Sequence, residues 1–266
     1  LKPGTGYTTP PTVTLSGGGG SGATAVAVKN WVTMTAPQAD PTRDIHVTAL
    51  LVDEHTLDEV QFDLTFSQQG RPFWVWGTGI KPGETTQDFA KDNYYFSFTR
   101  LAASGTITIA GTTHEVTGTT WMDHEYGYFG GSSADARVRW LLQDLQLDNG
   151  YSISNAGILT VGYKPEIDVP VDAYATVQDA EGNLYYVAST ITPVGELWTS
   201  PATGNVYAQQ FHVQIPSFQA DLTVSVLVQN QEFPIAASPV YEGVAKPTGT
   251  MLGKPVTGDA WIEQAY

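Results

Sequence analysis

Residues 105 to 127 read Gly105-Thr106-Ile107-Thr108-Ile109-Ala110-Gly111-Thr112-Thr113-His114-Glu115-Val116-Thr117-Gly118-Thr119-Thr120-Trp121-Met122-Asp123-His124-Glu125-Tyr126-Gly127. Ile107 and Ile109 alternate with Thr106 and Thr108, the two-residue period of a strand with one buried face. Ala110-Gly111-Thr112 reads as a turn, and His114 to Thr117 begin a returning strand. That strand runs into Trp121-Met122-Asp123-His124-Glu125-Tyr126, where an imidazole, two carboxylates and two aromatic rings fall together. Gly118 and Gly127 are compatible with tight backbone turns on either side. In an extended chain Trp121, Asp123 and Glu125 share one face, and Met122, His124 and Tyr126 share the other. A carboxyl beside an indole is poorly solvated, which raises its proton affinity and suits it to general-acid work. The same string also fits an ordinary polar strand end, with Asp and His satisfying nearby backbone groups.

Strand signals recur to both sides of this hairpin. Ile45 to Val52 and Val60 to Phe66 alternate or run apolar, with a charged bend at Asp53-Glu54-His55 between them. Phe73-Trp74-Val75-Trp76 is the most aromatic stretch, and Tyr94 to Arg100 is aromatic and extended. After Gly130-Gly131-Ser132-Ser133 a second series opens at Trp140-Leu141-Leu142. Asp148-Asn149-Gly150 and Asp179-Ala180-Glu181-Gly182-Asn183 are hairpin turns by composition. Further strands are expected at 151–154, 173–177, 184–190, 210–215 and 222–228. Val256-Thr257-Gly258…Trp261-Ile262-Glu263 echoes Val116-Thr117-Gly118…Trp121-Met122-Asp123, which suggests two related halves. Many short strands joined by Gly- and Asx-bearing turns imply sandwiches or barrels. Two barrels of roughly 100 to 130 residues each fit the length. A small closed barrel offers a cavity at its mouth for one apolar ligand.

The totals exclude several function classes. Across 266 residues, 12 Lys plus Arg stand against 27 Asp plus Glu, a formal charge of −15. Phosphate recognition needs a basic patch, so nucleic acid and anionic membrane surfaces are not expected partners. There is no cysteine, which removes thiolate chemistry, Cys-ligated zinc and disulfides. No apolar run approaches the roughly 20 residues of a membrane span. The chain begins at Leu1 without a charged-then-apolar leader, so a processed, exported product is expected, at the cell surface, in the periplasm or secreted. His114, Asp123, His124 and Glu125 include metal-ligand types but lack a recognised ligand spacing, and neither metal nor cofactor is expected. No Gly-x-Ser-x-Gly elbow is present for a serine hydrolase. His46, His55 and His212 stand alone and read as structural.

Residues 1 to 30 differ from the rest. Thr12-Val13-Thr14-Leu15 and Ala23-Thr24-Ala25-Val26-Ala27-Val28 flank Ser16-Gly17-Gly18-Gly19-Gly20-Ser21-Gly22, which reads as a Gly-rich β-hairpin appendage. The segment resembles a glycine-rich unit of phage tail and bacterial surface proteins.

The run His114-x-Val116-x-Gly118-x-x-Trp121-Met122-Asp123-His124-Glu125-Tyr126-Gly127 resembles the signature of the AttH-type, carotenoid 1,2-hydratase-like family. Tyr94 to Arg100 with Gly105-Thr106-Ile107, Trp140…Leu145-x-Leu147-Asp148-Asn149-Gly150, and Trp198-Thr199-Ser200-Pro201…Tyr207 agree in order. Gln231-Glu232, Tyr241-Glu242-Gly243 and Val256-x-Gly258…Trp261-x-Glu263…Tyr266 extend the likeness over about residues 45 to 266. The resemblance implies an all-β fold of two consecutive lipocalin-like antiparallel β-barrels. With the hairpin over 1–30, the first barrel is expected over 31–130 and the second over 131–266. The family usually opens with a Glu-Trp-Trp-Tyr strand, which is absent here; residues 1 to 30 stand in its place, so the first barrel is either incomplete or completed by the hairpin. The family's members include hydratases of isoprenoid double bonds, kievitone-hydratase-like enzymes and decalin-forming Diels–Alderases.

Carried over residue by residue, the resemblance places the essential aromatic-x-Asp at Trp121-Met122-Asp123, with aromatic partners near Tyr94 and Phe96. Asp123 is the expected acid and Trp121 its apolar wall. His124 is either catalytic or an orienting group, since alternation aims it away from Asp123. Tyr126, Glu125, Trp74 and Trp76 complete the expected substrate-binding set. Three functions remain open: a hydro-lyase or pericyclic cyclase acting on an apolar terpenoid or polyketide, a non-catalytic carrier of a hydrophobic ligand, and an extracellular assembly subunit that self-associates through the N-terminal hairpin.

Overall fold

The computed structural model describes residues 30–53, 56–84, 88, 90–128, 138–160, 162–165, 170–233 and 239–265. The hairpin expected over 1–30 and the boundary expected at 130/131 lie outside these residues, save Asn30. The chain gathers into two units, residues 1–69 with 100–120, and residues 70–99 with 121–266. Among the described residues all regular structure is β apart from short 3-10 turns. No helix among them is long and apolar enough to cross a membrane.

The first unit is an antiparallel meander. Strands β1 (Trp31–Thr35), β2 (Ile45–Val52) and β3 (Glu59–Gln68) pair in sequence, Trp31 opposite Leu50 and Val52 opposite Glu59. The distal part of β5 (Asn93–Ile109) continues the sheet, from Leu101 opposite Gln68 to Ile109 opposite Val60. β6 (Thr112–Gly127) returns beside β5. The hairpin read from residues 105 to 127 is therefore present, with both strands longer than the alternation alone suggested. On the exposed face His46 Nε2 meets Asp63 Oδ1 at 2.7 Å, a cross-strand tie.

The second unit contains a closed eight-stranded antiparallel barrel, the architecture expected for a lipocalin-like fold. Its staves are β7 (Trp140–Leu147), β8 (Ser152–Ile158), β9 (Val171–Gln178), β10 (Leu184–Thr199), β11 (Val206–Ile215), β12 (Ala220–Val226), β14 (Val240–Met251) and β15 (Lys254–Ala265). The short β13 (Glu232–Phe233) flanks β14. Pairing of β12 with β14, from Asp221 opposite Thr250 to Val226 opposite Ala245, closes the ring and leaves no open edge among the staves. The predicted turns fall where expected. Gly150 N–H donates to Leu147 O at 3.1 Å between β7 and β8. Asp179 Oδ1 accepts from the N–H groups of Glu181 and Asn183 between β9 and β10.

Alternation sorts each stave into two faces. Leu141, Leu145 and Leu147 of β7, Ile153 of β8, Ala175 and Val177 of β9, Phe211 and Val213 of β11, and Ile262 of β15 fill the interior. One polar side chain closes this core instead of spoiling it. Gln264 donates to Ala208 O and accepts from Ala208 N–H, both at 2.9 Å, imitating a backbone ladder. The residues between the inward ones, Trp140, Asp144 and Gln146 on β7 and Trp261 and Glu263 on β15, lie on the barrel's outer wall. The same unit holds β4 (Phe73–Trp74) with the first part of β5 and the last part of β6. Gln146 Nε2 donates to Thr99 O at 2.7 Å and ties β7 to β5.

Candidate acidic site

The face of β6 that carries Trp121, Asp123 and Glu125 meets the face of β5 that carries Asn93, Tyr95 and Ser97. Trp121 Nε1 donates to Asp123 Oδ1 at 2.7 Å, the i, i+2 contact that a strand requires. Ser97 donates a short hydrogen bond to the same oxygen. Tyr95 also hydrogen-bonds Asp123. Asn93 Nδ2 donates to Glu125 Oε1 at 2.9 Å. Phe73, fully buried, holds the Trp121 ring edge-on at 5.6 Å. Gly127 ends the strand because nothing larger fits. Its φ is +109°, and a Cβ there would lie 2.2 Å from Asp92 O.

Behind Asp123 lies a second carboxyl that the alternation reading missed. Asp144, on the outer wall of β7, is 2% exposed and hydrogen-bonded to Asp123. Burial pushes its proton affinity well above the usual carboxylate range; the charge and hydrogen bond of Asp123 add to this, and a bond from Ser154 opposes it. Contrary to the expectation of a poorly solvated carboxyl with an apolar indole wall, Asp123 is solvent-exposed and Trp121 meets it through its N–H, so the pair has one member facing water and one sealed from it.

Two further acids stand on the neighbouring staves. Glu242 and Glu263 are directly opposite each other across β14 and β15. Burial, then the charge of Glu242, raises Glu263 from 4.5 to about 7, against a hydrogen bond from Trp140. Burial likewise raises Glu242, against a bond from Trp261. Each indole takes a carboxylate: Trp140 Nε1 to Glu263 Oε2 at 2.9 Å, and Trp261 Nε1 to Glu242 Oε2 at 2.8 Å. The Trp-x-acid echo of the sequence is thus real in placement but not in pairing. Trp121 binds its own Asp123, whereas Trp261 reaches the next strand. Burial also raises the Tyr95 phenol strongly, with the nearby charges of Asp144, Asp123 and Glu263 adding to it.

The remaining expected site residues divide between the two faces. Tyr94 stacks on Tyr126 at 5.5 Å, His124 lies 5.1 Å from both Phe96 and Tyr126, and Trp74 meets Phe96 edge-on at 6.0 Å. These five rings form a ladder on the side of β4, β5 and β6 opposite Asp123. Trp76 joins the acid's side, its ring 5.7 Å from Tyr95. It does so through a left-handed backbone, φ +61°, held by Trp76 N–H donating to Thr176 Oγ1 at 2.8 Å. The rings around the acids are therefore Trp121, Tyr95, Trp76, Trp140 and Trp261. Asp123 lies on β6, outside the eight staves. The signal for Asp144 was present in Trp140-Leu141-Leu142-Gln143-Asp144-Leu145, where an acid sits inside an apolar strand. Among the described residues no cluster of three or more His, Asp or Glu side chains has the arrangement of a metal site.

A closed eight-stranded antiparallel barrel joined to a second antiparallel sheet, with indole-capped carboxyls on the barrel wall, defines a lipocalin-like all-β protein. The chain belongs to the AttH-like family, whose sequence profile matches residues 14–265. Two solved structures share the fold. An AttH protein of Nitrosomonas europaea is 20% identical, with a TM-score of 0.67 over 91% of this chain and 71% of that one. Kievitone hydratase of Nectria haematococca is 19% identical, with a TM-score of 0.67 over 91% of this chain and 70% of that one. No curated protein matches the sequence.

Proposed function

We propose that the protein is a hydratase-type hydro-lyase that adds water across a carbon–carbon double bond of an apolar isoprenoid or polyketide, with Asp123 as the reacting acid. The observation that carries this reading is the environment of Asp123. It is a water-facing carboxyl whose Oδ1 accepts from Trp121 and Ser97, backed by the buried carboxyl of Asp144. Membership of the AttH-like family and the shared fold with a protein named as a hydratase support it.

Protonation of an alkene carbon leaves a cation and a carboxylate. The π-faces of Trp121, Tyr95 and Trp76 suit such a cation. The Asp123 carboxylate then accepts a proton from the attacking water, so the acid is restored when the alcohol forms. The aromatic rings beside Asp123, Trp121 and Tyr95, support an apolar substrate.

The test is incubation with a panel of prenylated and polyketide alkenes in isotopically heavy water, read by mass spectrometry. Incorporation of one water by the wild type and none by Asp123→Asn is expected. Equal incorporation by both proteins refutes the assignment of Asp123. Retention of an alkene by both, with turnover by neither, would return the protein to the carrier class.

A further inference from the structure

The hydratase reading gives Asp144 a place behind Asp123 but no protonation state. Asp144 is packed under Asp123, and its Oδ1 is sealed from solvent with no hydrogen-bond partner. None of the ion pairs among the described residues reaches Asp123, Asp144, Glu242 or Glu263. The titratable groups facing Asp144 are Asp123 on β6, Tyr95 on β5 and Glu263 on β15, with neutral Ser154 on β8. Every charge these neighbours can carry is negative. An ionised Asp144 would hold one bare anionic oxygen away from water and stand next to a second carboxylate, which is costly. A proton on Asp144 removes its charge and the repulsion, leaves Oδ1 a neutral carbonyl that is far cheaper to bury, and converts the group into a hydrogen-bond donor.

We propose that Asp144 is a positioning residue that works as a neutral carboxylic acid, its O–H donating to the carboxylate that Asp123 becomes when it gives up its proton. This rests on the reading of Asp123 as the reacting acid. In the reaction the Asp123 proton forms the new C–H bond, and its carboxylate is left facing four donors. These are Trp121 N–H, Ser97 O–H, Tyr95 O–H and Asp144 O–H. The proton of Asp144 stays in place throughout. Water adds to the cation, and the proton it releases returns to Asp123, so protons balance over the cycle. The fourth donor stabilises the negative charge that develops on the Asp123 carboxyl as its proton leaves for carbon, and so lowers the barrier of that step.

Two measurements test this, the first independent of any substrate. Infrared spectra at about pH 9, where a Glu263 near 7 is ionised, are expected to show the C=O stretch of a protonated carboxyl. That band is lost in Asp144→Asn and kept in Glu263→Gln. A band that survives Asp144→Asn, or no such band in the wild type, overturns the proposal. The second measurement is turnover. Asp144→Asn retains a donor of the same shape and keeps kcat within about tenfold. Asp144→Val removes the donor and lowers kcat by about a hundredfold with KM unchanged. Equal kcat values for the Asn and Val variants overturn it. If Asp123→Asn leaves turnover intact, the reading of Asp123 as the reacting acid falls, and the infrared band alone then decides the protonation of Asp144.

Discussion

Glu263→Gln should change how the stability of this protein depends on pH. In the folded chain Glu263 binds its proton with an affinity near 7, against 4.5 for an ordinary glutamate, because it is largely buried and faces Glu242. A carboxyl raised in this way contributes stability that is fully present below about pH 4.5 and is lost as the pH rises through about 7. The reason is that the unfolded chain releases its proton first. At about 1.4 kcal/mol for each tenfold change in proton affinity, the loss across this window is about 3 kcal/mol. Glutamine keeps the shape and an oxygen that accepts from Trp140 Nε1, but it has no charge to bury. Urea unfolding at about pH 5 and about pH 8 reads the difference directly. The variant is expected to match the wild type at the lower pH and to exceed it by about 2 to 3 kcal/mol at the higher. Parallel stability curves for the two proteins would refute the account, since they would mean that Glu263 ionises as easily folded as unfolded.

Gly258→Ala places a Cβ 2.1 Å from Gln146 O, whereas a Cβ at Gly118 meets nothing within 4 Å. Urea melts should show a loss of about 1 to 3 kcal/mol for the first and little change for the second, although both glycines occupy the same place in the sequence echo. Gln264→Leu strips Ala208 of both side-chain partners inside the barrel and should cost about 3 kcal/mol, read by the same melts. Glu232 behaves opposite to Glu263. Burial raises it, but bonds from Ser200, Thr203, Tyr207 and Asn205 outweigh that and hold its carboxyl below the usual range. Its contribution is therefore present above the ordinary glutamate value and fades as the pH falls through its lowered one. Glu232→Gln should destabilise by about 1 to 3 kcal/mol near neutral pH and by less in acid, measured by thermal unfolding at two pH values.

The strand pattern was legible because its causes are local. Ile107 and Ile109 alternate with threonines, Asn149-Gly150 supplies a turn, and a two-residue period fixes which side chains share a face. The same period correctly kept His124 and Tyr126 away from Asp123. It could equally have separated Tyr94 and Phe96 from Asp123, since they alternate with Tyr95 and Ser97 on the paired strand; the family likeness drew them into the site instead. Trp76 escaped the period altogether because a left-handed residue breaks it. Asp144 was readable only as an anomaly, an acid among leucines, without any indication of what it faced.

Composition, turn chemistry and alternation suffice for an all-β chain of antiparallel strands and for a single strand end rich in ionisable groups, because those properties depend on neighbours one or two residues apart. Which carboxyls meet was settled by barrel closure and by the packing of residues 93–99 and 121–127 of the same unit against its wall. Asp123 and Asp144 are 21 positions apart, and Glu263 lies 119 positions beyond Asp144. Only the folded chain brings their charges within reach of each other and withdraws the water that would otherwise screen them.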